Sequence, residues 1–124
     1  MELVLVGIGG FAGAVARRVV DVWITERAGS TFPFGTLVIN LSGSFVLGLL
    51  FAWAIERDVL PVGIRAPVMI GFLGAYTTFS TWMLESWRLV EDGALALAAV
   101  NLVGSVLLGL VAVVAGLAVG RALP

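Results

Sequence analysis

The stretch GFLGAYTTFSTWMLE, residues 71–85, places a cluster of hydroxyl groups inside a strongly apolar part of the chain. The hydroxyl residues are Thr77, Thr78, Ser80 and Thr81. Lipid cannot hydrogen-bond to hydroxyls or to loosened backbone, so a membrane segment of this kind normally faces protein or water. In so small a chain, the stretch indicates a pathway for an ion or a solute.

The composition around this stretch is that of a membrane protein. Hydrophobic residues make up 60% of the 124 positions and charged residues only 12%, about half the charged fraction of soluble domains. A helix needs roughly 20 residues to cross the hydrocarbon. The sequence therefore predicts an all-α, multi-pass protein of the cell membrane, with one domain over 1–124. Its four transmembrane helices are expected near 3–24, 34–55, 66–87 and 94–120.

The ionisable residues restrict the chemistry that the chain can perform. It contains no Cys, His or Lys, which excludes disulfides, thiol chemistry, haem ligation and the usual zinc sites. All eight acidic residues fall at or near predicted helix ends, whereas proton-coupled carriers depend on carboxylates inside the membrane. We therefore expect a passive pathway rather than a pump or an enzyme, and no nucleic-acid partner. Glu2, in place of a basic cluster, predicts that the first span is not a cleaved signal peptide.

Arginine is distributed almost evenly between the two sides of the membrane. With four spans, both termini and the 56–65 loop share one side, which holds Arg57, Arg65 and Arg121. The other side holds Arg27 and Arg88, joined by Arg17 and Arg18 if these snorkel towards it. Orientation follows a clear Lys/Arg bias between the two sides, which this chain lacks. We therefore predict that the chain inserts both ways round.

Two sequence matches share an offset of 61 residues. GFAGA at 10–14 matches GFLGA at 71–75, and NLSGSFVLGL at 40–49 matches NLVGSVLLGL at 101–110. The common offset predicts a duplicated helical hairpin, with copies near 1–62 and 63–124. Thr78 of the third span aligns with Arg17 of the first span. The two copies therefore differ here, and we infer that the third span has been specialised away from the first.

The hydroxyl cluster has two interpretations. Ser and Thr side chains can bond to the carbonyl four residues earlier and merely bend a helix. Against this, Gly71 and Gly74 already weaken the helix, and the hydroxyls cover all its faces rather than one. The sequence therefore predicts a local break within 74–81, whose freed carbonyls at membrane depth suit a desolvated cation.

Polar and small residues line one face of the second and fourth spans. They recur every four positions and are Thr36, Asn40, Ser44 and Gly48 in one, and Asn101, Ser105 and Gly109 in the other. Packing is the expected role of Ser44, Gly48 and Gly109, and of Gly9 and Gly13 in the first span, because small residues let helices approach. A buried Asn needs several partners that a helix contact rarely supplies, which favours a functional role for Asn40.

Phe79 and Trp82 lie three positions apart and share a helix face. Packing against lipid or neighbouring helices is the usual role of such residues. The edge of an aromatic ring is electropositive, so rings presented edge-on beside a polar break can also stabilise an anion without a full positive charge.

Three ordered motifs resemble the small bacterial and archaeal fluoride channels of the Fluc or CrcB family. They are GGFAGAVAR at 9–17, FGTLVINLSGSFVLG at 34–48 and GFLGAYTTFST at 71–81. Together they span most of the chain. The resemblance implies four-helix subunits with a broken third helix, which pair as an antiparallel, dual-topology homodimer with two fluoride pores.

The resemblance also implies roles for individual residues. A structural sodium ion is expected at the dimer centre, held by the backbone carbonyls of Gly74 and Thr77. The residues expected along the fluoride pathway are Asn40, Phe79, Ser80, Thr81, Trp82 and Ser105, with Glu85 as a vestibule acid. Arg17 matches the motif arginine and is expected to have a structural or vestibule role.

Trp82 departs from the family pattern, which has a phenylalanine at this position. Indole keeps a positive edge and adds an N–H donor, but it is larger. The substitution predicts a narrower pore, a reshaped anion site, or a subunit whose pores work only with a second, different subunit; a homodimer remains the leading expectation.

Two other functions fit a chain of this size. A small dual-topology exporter of cationic drugs should carry a mid-helix carboxylate in its first span, and residues 3–16 have none. A non-transporting assembly subunit would explain the small-residue faces but leaves the polar break without a purpose. The leading hypothesis is therefore a passive channel that exports fluoride.

Overall fold

The computed structural model describes all 124 residues, and its regular structure is entirely helical. Four helical segments are long and apolar enough to cross a membrane, and they are Glu2–Ala28, Phe34–Ile55, Val62–Glu91 and Leu95–Ala122. The prediction of an all-α protein with four apolar spans is confirmed. Only 17 residues are buried, because so thin a subunit directs most of its apolar side chains outward.

The first two spans are helices with well-defined ends. Helix α1, Glu2–Ala28, stops at Gly29, whose φ of 54° is left-handed and whose N–H donates to the Thr25 carbonyl. Glycine is the preferred residue for such a cap, since it has no Cβ to clash. Helix α2 covers Phe34–Ile55 and becomes π-helical over Phe51–Ile55.

The third span contains an interruption. Helix α3 covers 62–76 and includes a π-helical stretch at Pro67–Leu73. Thr77 and Thr78 are extended, with φ and ψ of −76° and 157° for the first and −148° and 123° for the second. Helix α4, Phe79–Glu91, begins immediately after them. The backbone thus leaves the helical conformation for two residues inside an apolar segment.

The fourth span is helix α5, Leu95–Ala122. It follows a tight turn at Gly93, whose φ is 75°. A π-helical segment, Val100–Gly104, lies near its beginning. Such π-turns often occur at functional sites, because they shift the hydrogen-bonding register of the helix.

Glycines bring the spans together in two pairs. Gly9 and Gly13 of α1 lie against backbone oxygens of α3, so closely that an added Cβ would collide with them. Gly48 of α2 and Gly116 of α5 make the same kind of contact in the second pair. Contacts of this kind hold membrane helices together by close packing. The packing role predicted for Gly9, Gly13 and Gly48 is confirmed, while the hairpin repeat remains a prediction.

Candidate functional site

The side chain of Asn40 bridges the interruption in the third span. Its Nδ2 donates to the carbonyl oxygen of Thr78 at 3.0 Å, and its Oδ1 accepts the Thr78 N–H at 2.8 Å. An unpaired backbone group in the hydrocarbon region would be costly, because no water reaches it there. Asn40 therefore satisfies both backbone groups of a residue that has no helical partners.

This arrangement leaves two carbonyls without their helical donors. Because the Thr78 N–H is bound to Asn40, it does not reach the carbonyl of Gly74 four residues earlier. The Thr81 N–H donates instead to the Thr78 hydroxyl at 3.4 Å, which caps the start of α4. The carbonyl of Thr77 therefore has no backbone donor either. These are the two carbonyls that the resemblance assigns to sodium.

A cavity of ≈ 470 Å³ lies beside the interruption, between α2, α3, α4 and α5. Six of the residues expected at functional positions line it, and they are Asn40, Gly74, Thr77, Phe79, Trp82 and Ser105. No charged side chain is among its lining residues. Gly109 also borders it and has open space where a Cβ would be, so the packing role predicted for Gly109 is not found within the subunit.

The remaining expected residues lie outside this cavity. Ser80 and Thr81 are exposed on α4 and do not line it. The Thr81 hydroxyl accepts a hydrogen bond from the Thr78 hydroxyl at 3.1 Å. Arg17 is half-buried on α1 and borders neither this cavity nor the second one.

Glu85 borders a second cavity, of ≈ 310 Å³. Its Oε1 accepts the hydroxyl of buried Thr36 at 2.9 Å, which links the start of α2 to α4. Its Oε2 is buried and has no hydrogen-bond partner within the subunit. Asp21, Arg88 and Asp92 border the same space. The charged groups are thus concentrated in this second cavity, apart from the uncharged cavity at the interruption.

Phe79 and Trp82 meet edge to face. Their ring centroids are 5.6 Å apart and their planes are inclined at 76°. The Phe79 side chain is exposed, so its ring is available at the cavity. The indole N–H of Trp82 donates to the carbonyl of Asn101 at 3.1 Å. The extra donor that the sequence suggested for an anion is therefore occupied within the subunit.

Ser86, which lies outside the three motifs, belongs to a hydrogen-bond network with Asn101 and Trp82. Asn101 Nδ2 donates to the Ser86 hydroxyl at 2.9 Å, and that hydroxyl donates to the Trp82 carbonyl at 2.8 Å. The Ser105 hydroxyl reaches Asn101 Oδ1 at 3.4 Å. A signal was present, because Trp82 and Ser86 are four positions apart on one helix face and a mid-span Asn needs partners.

Comparison with known proteins gives consistent relatives over nearly the whole chain. A family model described as "CrcB-like protein, Camphor Resistance (CrcB)" matches residues 4–117. The chain is 45% identical to the fluoride-specific ion channel FluC of Magnetococcus marinus across 98% of both chains. It is 44% identical to FluC of Hahella chejuensis across 97% of this chain and 94% of that one. It is 45% identical to FluC 1 of Symbiobacterium thermophilum, across 97% and 98%. The resemblance in the three motifs is thereby confirmed, and the chain belongs to the CrcB family.

Proposed function

We propose that this chain forms a passive channel that exports fluoride from the cytoplasm. The relatives named fluoride-specific ion channels match it over nearly their whole length, which supports the choice of ion. The observation that carries the proposal is the interruption at Thr77 and Thr78, bridged by Asn40 and beside Phe79. The interruption provides backbone dipoles, hydroxyls and the edge of an aromatic ring inside an apolar segment. These groups can interact with an anion without a fully charged side chain.

The chemistry of the cavity supports passive conduction. Its lining has no carboxylate, and the chain has no His. Transport coupled to protons would therefore have no titratable side chain in the cavity to carry the proton. The interior-negative membrane potential drives an anion outward with roughly 2.3 kcal/mol per charge at 100 mV. Fluoride would therefore leave through an open path without another source of energy.

We also propose that the carbonyls of Gly74 and Thr77 hold a structural sodium ion. Both carbonyls lack their helical donors, and carbonyl oxygens are suitable ligands for a desolvated alkali cation. Two carbonyls from one subunit form only part of a coordination shell. A second copy would supply another two, so the ion fits a position shared between subunits, where it would favour assembly.

The exposed face of α4 supports an antiparallel homodimer in the membrane. Phe79, Ser80 and Thr81 are exposed there, and lipid offers the hydroxyls of Ser80 and Thr81 no hydrogen bonds. A second copy in the opposite orientation would cover this face. The indole N–H of Trp82 has an acceptor in its own chain, the Asn101 carbonyl, and the homodimer therefore remains our proposal with Trp82 at this position.

Efflux from liposomes tests the channel. Vesicles containing the purified protein and potassium fluoride, supplied with valinomycin to balance charge, should release fluoride to an external fluoride electrode. Protein-free vesicles and vesicles loaded with chloride are the controls. Release no faster than from protein-free vesicles would rule out a homodimeric channel, and equal chloride and fluoride fluxes would rule out selectivity for fluoride.

A further inference from the structure

We infer that Asn101 is a positioning residue that fixes the ring of Trp82 beside the proposed pore; this inference rests on the proposed channel function. Asn101 contacts α4 at two points. Its carbonyl accepts the indole N–H of Trp82 at 3.1 Å, and its side-chain amide donates to the Ser86 hydroxyl at 2.9 Å. Trp82 and Ser86 are one helical turn apart, so α5 holds one face of α4 through a single residue.

The hydrogen bonds form a closed network around Trp82. The Ser86 hydroxyl donates to the Trp82 carbonyl at 2.8 Å. Asn101 is therefore connected to Trp82 twice, directly at its ring and through Ser86 at its backbone. Asn101 is 1% exposed and Ser86 is 3% exposed. Because water does not compete for these groups, each bond is stronger than it would be at a surface.

The position of the Trp82 ring matters because this ring contacts Phe79. The Phe79 side chain is 69% exposed, and an aromatic hydrocarbon ring has no polar group that could fix it in place. Trp82 meets it edge to face at 5.6 Å. Since Trp82 cannot rotate away without breaking its bond to Asn101, it limits the orientations that remain open to Phe79 and the shape of the cavity that both rings border.

The coupling depends on an indole at position 82. The Asn101 carbonyl lies in the π-turn Val100–Gly104 and also accepts the N–H of Ser105. A carbonyl oxygen has two lone pairs, so this oxygen has capacity for the indole as well. A phenylalanine at position 82 has no donor for it. The ring of such a residue would have no direct bond to Asn101, and only the link through Ser86 to its backbone carbonyl would remain.

A double-mutant cycle in the fluoride efflux assay tests this inference. N101A keeps the backbone carbonyl that accepts the indole N–H, but it removes the amide that ties α5 to Ser86 and so holds this carbonyl beside Trp82. It should slow fluoride release about tenfold when Trp82 is present, but less than about twofold in a W82F background, because coupled residues are not additive. The fluoride-to-chloride flux ratio should follow the same pattern. Equal fold-changes in both backgrounds would overturn the positioning role of Asn101.

Two further variants keep the test decisive. S86A removes the partner of the Asn101 side chain with a smaller change, and it should show the same non-additivity with W82F even if N101A does not fold. S42A is the matched control, because it removes a hydroxyl that contacts Tyr76 at 3.0 Å, outside the network, and its effect should add to that of W82F. If the unmodified protein releases no fluoride, the channel proposal and this inference both fail. Normal release with additive effects overturns only the inference.

Discussion

The side-chain amide of Asn40 pairs with both backbone polar groups of Thr78, at 3.0 Å and 2.8 Å. A side-chain amide presents a donor and an acceptor in the same plane, as a peptide group does. One residue of α2 thereby replaces the two helical partners that Thr78 lacks. A contact between two spans stabilises the interruption, rather than the local sequence of the third span alone.

Replacing Asn40 by Ala should lower the thermal midpoint of the detergent-purified protein and abolish fluoride efflux. Two buried backbone groups lose their partner, and each such group costs about 1–3 kcal/mol. Thermal unfolding followed by circular dichroism measures the first effect, and liposome efflux the second. T25A is the control, because its hydroxyl makes only an exposed bond of 3.4 Å to Asp21. An unchanged midpoint for N40A would show that Thr78 finds other partners.

Exchanging sodium for N-methyl-D-glucamine should lower the thermal midpoint and the fraction of dimer. This cation is too large to reach the carbonyls of Gly74 and Thr77, and an ion that binds only the assembled state stabilises it by mass action. Unfolding and size-exclusion chromatography at constant ionic strength measure the effect.

T77V provides the control for this sodium experiment. The Thr77 hydroxyl donates to the Leu73 carbonyl at 2.9 Å, so it is not one of the proposed ligands. The variant retains the backbone carbonyl and should retain the dependence on sodium. If sodium removal leaves the unmodified protein unchanged, Gly74 and Thr77 are not sodium ligands.

Adding one positive charge to the 56–65 loop should bias the orientation of the chain. Val59 is 52% exposed in this loop, and V59K adds a charge to an otherwise balanced distribution, which should retain the loop in the cytoplasm. Because the chain has no Cys, a single introduced cysteine would report orientation through a membrane-impermeant maleimide. V59Q is the uncharged control.

Biased orientation should also reduce efflux, if the dimer is antiparallel. V59K alone would leave few partners of opposite orientation. Co-expression with A28K, which adds a charge at the end of α1 on the other side, should restore activity. Full efflux from a population that is entirely of one orientation would contradict the antiparallel arrangement.

The pair of Glu56 and Arg121 should make stability depend on pH. Its two hydrogen bonds are 3.0 Å and 2.8 Å, and the Arg121 guanidinium lowers the pKa of Glu56 below its ordinary value of 4.5. Because the folded-state pKa is the lower one, the stabilisation is present above that ordinary value and is lost as pH falls through the folded-state pKa. E56Q should therefore lower the thermal midpoint slightly at about pH 7 and by less at about pH 3. Equal effects at both pH values would show that the pair acts through shape rather than charge.

Much of the fold was predictable because the hydrocarbon region imposes length and apolarity on each span. The second span, predicted at 34–55, is Phe34–Ile55 in the structure. The two extended residues, Thr77 and Thr78, lie in the region where glycines and hydroxyls weaken a helix. Partners across helices were not predictable in the same way. They depend on how far each helix is rotated about its axis, which no local pattern specifies.

Trp82 shows this limit most directly. The sequence shows that an indole N–H is present. Its acceptor, the Asn101 carbonyl, lies in a π-turn, and the residue types at 100–104 do not predict such a turn. The spacing of Trp82 and Ser86 places both on one face of α4, but it does not specify that Asn101 is the residue of α5 that faces them. The dimer and the sodium ion remain predictions, because one subunit contains only part of any site shared between two.

The two halves of the third span are attached to the subunit in different ways. Helix α3 lies against Gly9 and Gly13 so closely that no added atom fits. Helix α4, in contrast, is held by hydrogen bonds with Thr36 and Asn101. Evolutionary drift should therefore be strongly restricted along α3. A hydrogen-bonded pair, in contrast, can be exchanged for another complementary pair. Diversification of ion preference would then accumulate in α4 and the helices facing it, while the scaffold that inserts into the membrane stays unchanged.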